Sequence, residues 1–280
     1  MYLCKDCLKT FRRSRKNKLD EKLWKEYSEG KQTYDQLSRK FHLSKRGIQS
    51  KIAGFEVKRT KPTPRKVMLV IDTTYFKKTF AVMVFRDIYE KENLFWMFVK
   101  YETIALYQIG INHLKEQGFE IQGITADGRR GIFKAFPGIP VQMCQFHQKQ
   151  IVRRYLSLNP ILEAGQDLAK LTGLIHETDK PSFELWLNNW FIKWRDFLNE
   201  KTENPITGRK QFTHRRLRSA YNSLKSNLDY LFAYQENFYP KMPNTCNSLD
   251  GTFSHLKDKI RIHRGLKLER KKKLIGELLV

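Results

Sequence analysis

The chain has 280 residues, of which 40% are hydrophobic and 13% aromatic, so it is long enough to bury a substantial core. Lysine and arginine number 53 against 29 acidic residues, and the resulting formal charge of +24 favours a polyanionic partner. No apolar run approaches the roughly 20 residues that cross a bilayer, and the N-terminus lacks the apolar core of a secretory signal. We therefore expect a cytoplasmic protein with no membrane partner.

The N-terminal segment, residues 1–16, holds the pair Cys4-x-x-Cys7 followed by a basic string. Such a pair resembles one half of a zinc ribbon, whereas a structural zinc site needs four ligands. Cys4 and Cys7 are therefore either ligands of a partial Zn²⁺ site or bind no metal. With four cysteines in the whole chain, metal or thiol chemistry in a reducing compartment is favoured over a disulfide framework.

Residues 17–57 have the pattern of short helices with a tight turn between two of them. Leu37 and Phe41 share one helical face, Ile48 and Ile52 share another, and the pattern breaks between them. In a basic region this arrangement predicts a helix-turn-helix that binds DNA, with an ordinary helical hairpin as the alternative. The side chains expected near the major groove are Lys45, Arg46, Gln49, Ser50 and Lys51.

A basic linker then leads into a strand-rich region. Residues 58–66 contain two prolines and five cations, which predicts an extended segment able to follow a DNA backbone. Residues 67–71 form a buried strand that stops at Asp72, and aromatic-rich strands at 79–89 and 93–101 follow with short connections. Short connections of this kind predict three antiparallel strands.

The next segments alternate between helix and strand. We expect an amphipathic helix over residues 104–117, a strand that ends in Asp127, a short helix over 129–136, a strand over 141–146 and a further helix. This order matches the ribonuclease H-like fold, in which the first and fourth strands are parallel neighbours. Parallel neighbours joined through a helix end on the same side, so Asp72 and Asp127 are expected to converge.

Converging carboxylates suit Mg²⁺ or Mn²⁺, which bind oxygen ligands and keep several waters. The alternative for either acid alone is the end of a strand or the cap of a turn.

A helical segment separates these strands from the end of the chain. Aromatic and leucine residues at helical spacing predict an all-helical (all-α) insertion over residues 158–242, whose aromatics serve as core rather than as stacking platforms for bases. The predicted catalytic domain then comprises residues 67–157 and 243–280. Asp250 lies in the first turn of a helix there, where the helix dipole favours an acid even without catalysis.

Four motifs in this order resemble bacterial insertion-sequence DDE transposases of the Mutator-like superfamily. They are VIDTTYFKKTFAVMVFRD, ITADGRRGI, MCQFHQKQ and NSLDGTFSHLKDKIRIHRGL. The resemblance implies that Asp72, Asp127 and Asp250 are the catalytic acids and bind two Mg²⁺ or Mn²⁺ ions. It identifies Cys144 and His147 as a C-x-x-H signature pair. Many relatives have glutamate at the position of Asp250.

The same resemblance implies a function on double-stranded DNA. A transposase binds the terminal inverted repeats of its element, cleaves the strands and joins them to target DNA, usually as a homo-oligomer near the bacterial nucleoid. Arg129 and Arg130, beside the second acid, become further candidates for DNA contact. Two alternatives remain open, a non-catalytic DNA-binding remnant and a metal-dependent nuclease without strand transfer.

Overall fold

The structure is a computed structural model that describes residues 2–3, 7, 10–11, 18–57, 61–236, 241–263 and 265–280. The chain divides into two compact units, a first unit of Met1–Lys61 with Ser254–Val280 and a second unit of Pro62–Phe253. The fold class is α/β, with a mixed five-stranded sheet and helices. Within the described ranges no helix combines the length and apolar character needed to span a membrane.

The first unit is mainly helical. Its elements are β1 (Tyr2–Leu3), β2 (Thr10–Phe11), α1 (Lys18–Ser28), α2 (Tyr34–Phe41), α3 (Lys45–Gly54), part of α9 (Asn247–Ile262) and α10 (Leu268–Leu278). β1 and β2 pair as antiparallel strands. Leu23, Leu37, Ile48, Ile52 and Leu274 are buried together in its core. Cys7 is exposed, and Cys4 lies outside the described residues, so the predicted Cys4–Cys7 knuckle stays a prediction.

The predicted break between α2 and α3 is confirmed. Thr33 caps α2 by accepting a hydrogen bond from the backbone N–H of Gln36, whose side chain accepts in return from the Thr33 backbone. His42 ends α2 in the left-handed conformation with φ 52°, and Ser44 caps α3. The chain therefore turns between two separate helices, as the sequence indicates.

The second unit is built on the five-stranded sheet. Its first elements are β3 (Lys66–Phe76), β4 (Phe80–Asp87), β5 (Glu92–Val99), α4 (Ile104–Glu116), β6 (Glu120–Ala126), β7 (Val141–Met143) and α5 (Gln145–Leu156). The strand order is β5-β4-β3-β6-β7, with β3 antiparallel to β4 and parallel to β6. The predicted parallel pairing of the first and fourth strands of this sheet is thus confirmed.

The first strand of the sheet is longer than predicted, because β3 does not stop at Asp72. It continues to Phe76 in register with β4, where Phe76 pairs with Phe80, while its parallel pairing with β6 ends at Val70 and Thr125. Residues 72–76 alternate between buried and more accessible positions. Such alternation is typical of a strand with one accessible face. The prediction relies on a continuous run of apolar residues, so it does not detect this part of the strand.

The segment after β6 also differs from the prediction. A helix was expected over residues 129–136, but only a 3₁₀ turn forms, at Ile132–Lys134, after Gly131 with φ +91°. The linker prediction is also modified at its end, because Arg65 binds Asp87 at 2.7 Å on the sheet and Lys66 begins β3.

The insertion is not wholly helical, which corrects the all-α prediction. Its helices are α6 (Glu163–Gly173), α7 (Lys180–Asn199) and α8 (Arg215–Leu231), and a hairpin of β8 (Lys201–Glu203) and β9 (Lys210–Phe212) separates the last two. The Asn204 side chain accepts from the backbone N–H groups of Ile206 and Thr207, and Gly208 has φ +63°, which together close the turn.

Most of the aromatic residues of the insertion form its core, as expected. Phe183, Trp190 and Tyr221 are buried, and the Trp190 indole N–H donates to the carbonyl of Ala164 at 3.0 Å.

A second correction concerns the end of the chain, because the sequence predicts that residues 243–280 belong to the catalytic domain as one piece. Ser254–Val280 belongs instead to the first unit.

Candidate functional site

The structure brings the three predicted acids together within the second unit. Asp72 lies on β3 just past the last residue pair of the parallel ladder, and Asp127 directly follows β6, the strand on the other side of that ladder. Asp250 lies in the first turn of α9. The charges of Asp127 and Asp250 both act on the Asp72 carboxyl group. The convergence expected from parallel neighbours therefore includes the third acid.

Asp72 is the most perturbed of the three carboxylates. Burial raises its pKa to about 7, since the side chain is only 8% exposed. The backbone N–H of Thr73, which donates to Asp72 Oδ1 at 2.7 Å, opposes this shift, whereas the charges of Asp127 and Asp250 add to it. A buried carboxylate beside two others gains stability from a proton or from a bound cation.

The position of Asp250 depends on the segment that precedes its helix. Thr125 on β6 donates its hydroxyl to the carbonyl of Pro243 at 2.7 Å, and the backbone N–H of Gln145 on α5 donates to the carbonyl of Asn244 at 2.9 Å. The backbone N–H of Asp250 in turn lies 3.3 Å from the carbonyl of residue 246. These bonds attach the start of α9 to the strand and the helix that flank Asp127.

The predicted signature pair lies next to the acids, with a third residue that sequence reasoning missed. Cys144 follows β7 and precedes α5, and the backbone N–H of Cys246 donates to Cys144 Sγ at 3.2 Å. The ligand atoms of Cys144, His147 and Cys246 all lie within 4.8 Å of one another. The residue that the sequence analysis missed is Cys246. The signal that could have indicated it is its position in the same short segment as Asp250.

The electrostatics of this cluster link it to the acids. Hydrogen bonding to Cys246 and His147 lowers the pKa of Cys144 to about 4, against the opposing effect of burial. The hydrogen bond with Cys144 raises the pKa of His147 to about 9, and the charge of Asp72 adds to that shift. His147 in return favours the ionised form of Asp72. The cluster therefore pairs the Cys144 thiolate with a positive imidazolium of His147 at the edge of the acidic site.

Glu102 is a fourth acid near the site, and the sequence did not indicate it. Its Oε1 accepts a hydrogen bond from the Tyr107 hydroxyl at 2.9 Å, and that hydroxyl lies 2.9 Å from the hydroxyl of Thr73. Burial raises the pKa of Glu102 and the charge of Asp127 adds to the effect. Glu102 lies just before α4 and belongs to none of the sequence motifs. Only the folded chain brings it close to Asp127.

The two arginines after Asp127 differ in their surroundings. Arg129 Nη1 lies 3.3 Å from Glu102 Oε2, and its other terminal nitrogen donates to the Glu102 carbonyl. Arg130 is exposed. Arg129 therefore carries positive charge at the border of the acidic site through Glu102, while Arg130 is accessible to a ligand.

The predicted DNA-contacting side chains of the first unit lie on α3. Lys45 Nζ is 2.8 Å from a carboxylate oxygen on α2, and Lys51 Nζ is 2.9 Å from one on α1. Arg46 is exposed and Gln49 is half-buried. Because surface ion pairs of this kind are weak, neither lysine is held firmly by its partner, and the predicted contact of this helix with DNA stays a prediction.

Comparison of the chain with family models and with curated proteins finds no match. The chemistry of the site is therefore inferred from the side chains that form it. Three carboxylates offer hard oxygen ligands, and two sulfurs with one imidazole offer softer ligands beside them.

Proposed function

We propose that this chain is a DDE-type DNA transposase of the kind its motifs resemble, with Asp72, Asp127 and Asp250 as the acids of the active site. The observation that carries the proposal is that Asp127 and Asp250 both act electrostatically on the buried Asp72, although the three acids come from a central strand, the end of its parallel neighbour and the start of a helix distant in sequence. The transposase resemblance names the same three residues.

The architecture of the sheet supports a ribonuclease H-like catalytic domain. Three antiparallel strands are followed by α4, β6, β7 and α5, and the resulting order is β5-β4-β3-β6-β7. A fold of this type places its first acid on the first strand and its second acid after the fourth, which are β3 and β6 here. The insertion between α5 and α9 separates the third acid from the sheet in sequence.

The donor set fits divalent metal ions of the Mg²⁺ or Mn²⁺ type. Asp72, Asp127 and Asp250 supply carboxylate oxygens only, and burial of Asp72 beside the other two makes a bound cation favourable. When bound, two such ions would activate a water or a 3′-hydroxyl and stabilise the leaving oxygen of a phosphodiester. The chain needs no side-chain nucleophile for this chemistry.

The residues around the acids have supporting roles in this proposal. Glu102 orients Arg129 and accepts a hydrogen bond from Tyr107, so it keeps a positive charge beside the second acid. A scissile phosphate that approaches the site would meet that charge. Arg130, exposed next to it, would contact the DNA backbone.

DNA recognition is assigned to the basic surface as a whole and to α3 in particular. A net charge of +24 supplies the sequence-independent part of the affinity, and Arg46 and Gln49 on α3 would read bases of the terminal inverted repeats. A transposase must hold two ends and a target at once, so we propose a homo-oligomer on DNA.

The test uses a supercoiled donor plasmid that carries the DNA flanking the coding sequence on both sides, incubated with the protein and Mn²⁺, Mg²⁺ or EDTA. The proposal predicts metal-dependent cleavage at the ends and joining of these ends to a second plasmid. Cleavage at those sites without joining would identify the metal-dependent nuclease. Binding of the ends without cleavage in any metal would identify the non-catalytic remnant. This alternative is tested because Asp250 stands where many relatives have glutamate. Asp127→Asn serves as the matched catalytic control, because it should bind the ends and leave them uncut.

A further inference from the structure

Cys144, His147 and Cys246 form a compact group of metal-binding side chains beside the acids. Their ligand atoms lie within 4.8 Å of one another, and both cysteines are fully buried. In a tetrahedral zinc site two sulfurs at about 2.3 Å from the ion are roughly 3.8 Å apart. The observed spacing therefore allows the three atoms to converge on one ion after small side-chain movements.

A second observation also points to a ligand at this cluster. The Nδ1 atom of His147 is buried and meets no hydrogen-bond partner among the residues that the structure describes. A buried imidazole nitrogen in that state costs free energy unless a ligand satisfies it. A metal ion bound through Nδ1 of His147 would satisfy this nitrogen.

The donor atoms select the kind of ion. Two thiolates and one imidazole favour Zn²⁺, whereas Mg²⁺ and Mn²⁺ prefer the oxygen ligands that the acids supply. Three protein ligands leave one tetrahedral position, which a water molecule would complete. Metal binding requires both thiolates and a neutral imidazole, so it releases the protons of His147 and Cys246, and the affinity increases with pH until these ligands are deprotonated.

We propose that Cys144, His147 and Cys246 bind one Zn²⁺ ion, distinct from the metal ions of the carboxylates. The ion would connect the start of α5 to the start of α9, because Cys144 precedes α5 and Cys246 precedes α9. Cys246 also accepts a backbone hydrogen bond from Asp250 at 3.3 Å. Zinc would therefore fix the helical turn that presents Asp250. The binding itself is independent of the proposed function, while its effect on cleavage rests on that function.

The chain offers a matched control because its four cysteines form two pairs. The wild-type chain is compared with Cys144→Ser/Cys246→Ser and with Cys4→Ser/Cys7→Ser, each expressed with zinc and dialysed against metal-free buffer. Zinc is counted by plasma mass spectrometry. The proposal predicts that Cys4→Ser/Cys7→Ser retains about one Zn²⁺ per chain and that Cys144→Ser/Cys246→Ser loses it. Retention of all zinc by the second variant, or loss of all zinc from the first, would overturn the proposal.

A measurement on proteins with both buried cysteines keeps the proposal testable if Cys144→Ser/Cys246→Ser fails to fold. Cys4→Ser/Cys7→Ser is stripped of metal and titrated with Co²⁺. One equivalent should produce the charge-transfer absorption of cobalt–thiolate bonds, and Zn²⁺ should displace it. Zinc at 100 times its Kd should also raise the Tm by roughly 5–10 °C. Absence of both signals from the folded variant would overturn the assignment.

The effect on Asp250 is measured separately from zinc binding. Removal of zinc should lower the rate of end cleavage at saturating Mn²⁺, and one equivalent of Zn²⁺ should restore it. A protein that binds zinc and cleaves equally well without it would overturn the positioning role. A protein that binds zinc with the predicted thiolate signal and never cleaves DNA would refute the proposed function and leave the zinc site intact.

Discussion

Replacement of Asp72 by asparagine is expected to stabilise the fold in the absence of metal. The carboxyl group is buried, and its pKa is raised to about 7 by burial first and by the charges of Asp127 and Asp250 next. Ionised Asp72 therefore costs folding free energy at neutral pH. Asparagine has nearly the same shape, keeps an oxygen that can accept from the Thr73 N–H, and removes the charge.

The magnitude follows from the size of the shift. The pKa rises from 3.8 to about 7, a change of about 3 units, and each unit corresponds to about 1.36 kcal/mol, so the penalty approaches about 4 kcal/mol. The asparagine amide must still be buried, which costs about 1–3 kcal/mol when it lacks a full set of partners. We expect a net gain of about 2 kcal/mol for Asp72→Asn at pH 8 in EDTA.

The pH dependence has a defined sign. A carboxyl group whose pKa is raised on folding contributes stability that is present below the unfolded pKa and is lost as pH rises through the folded pKa. For Asp72 the loss begins near pH 4 and is complete above about pH 7. Asp72→Asn should therefore be less stable than wild type near pH 4, where only the cost of burying the amide remains, become more stable than wild type through this window and keep a constant advantage above it.

The assay is chemical unfolding in urea, followed by circular dichroism, at several pH values with EDTA and with Mg²⁺. Asp87→Asn is the matched control, since Asp87 is also buried in the sheet but binds Arg65 at 2.7 Å. Loss of that pair should destabilise the protein by roughly 3 kcal/mol. Mg²⁺ should stabilise the wild type and have little effect on Asp72→Asn. An Asp72→Asn protein that is less stable than wild type in EDTA at pH 8 would refute the reasoning.

Three further predictions concern other parts of the chain. Gly110→Ala should cost several kcal/mol in urea unfolding, because its Cβ would lie 2.0 Å from the ring of Phe85. Glu102→Gln should reduce the rate of metal-dependent cleavage by roughly tenfold with little change in DNA affinity, because it weakens the ion pair that holds a positive charge at the site. Replacing Arg46 and Gln49 with alanine should lower the affinity for terminal-repeat DNA more than that for random DNA in gel-shift titrations.

The controls for these three predictions are direct. Gly54→Ala meets no atom within 4 Å and should leave stability nearly unchanged, in contrast to Gly110→Ala. Wild-type activity of Glu102→Gln would remove Glu102 from the site. Equal losses on both DNA sequences would assign α3 to phosphate contact alone.

The convergence of Asp72 and Asp127 could be predicted because it follows from local patterns. A buried run before each acid indicates two strands, and a helix between them indicates that the strands are parallel. Their neighbourhood then follows from the geometry of sheets. Asp250 required the transposase resemblance, because its distance from the sheet in sequence leaves no periodic signal.

Cys246 and Glu102 could not be found in the same way. Cys246 reaches Cys144 because residues before α9 bind Thr125 and Gln145, and these contacts connect segments far apart in the chain. Glu102 reaches the site through Arg129, in a loop whose path depends on the whole sheet. Local propensity carries no information on either contact.

The limits of periodicity explain the remaining differences in the fold. β3 extends past Asp72 because its pairing with β4 continues there, although the run of apolar residues has ended. The β8–β9 hairpin lies in a segment where two helical patterns flank a short polar turn, and three-residue strands are too brief to produce a pattern.

The most direct test of the central claim, that three acids share one metal-dependent site, is cleavage of the donor plasmid by Asp250 variants. Wild type, Asp250→Ala and Asp250→Glu are compared in Mg²⁺ and in Mn²⁺, with circular dichroism as the folding control. We predict that folded Asp250→Ala does not cut and that Asp250→Glu does. We also predict that wild type cuts better in Mn²⁺, because the shorter aspartate side chain places its carboxylate further from the ion and Mg²⁺ is strict in its geometry. Undiminished cutting by folded Asp250→Ala would contradict the claim.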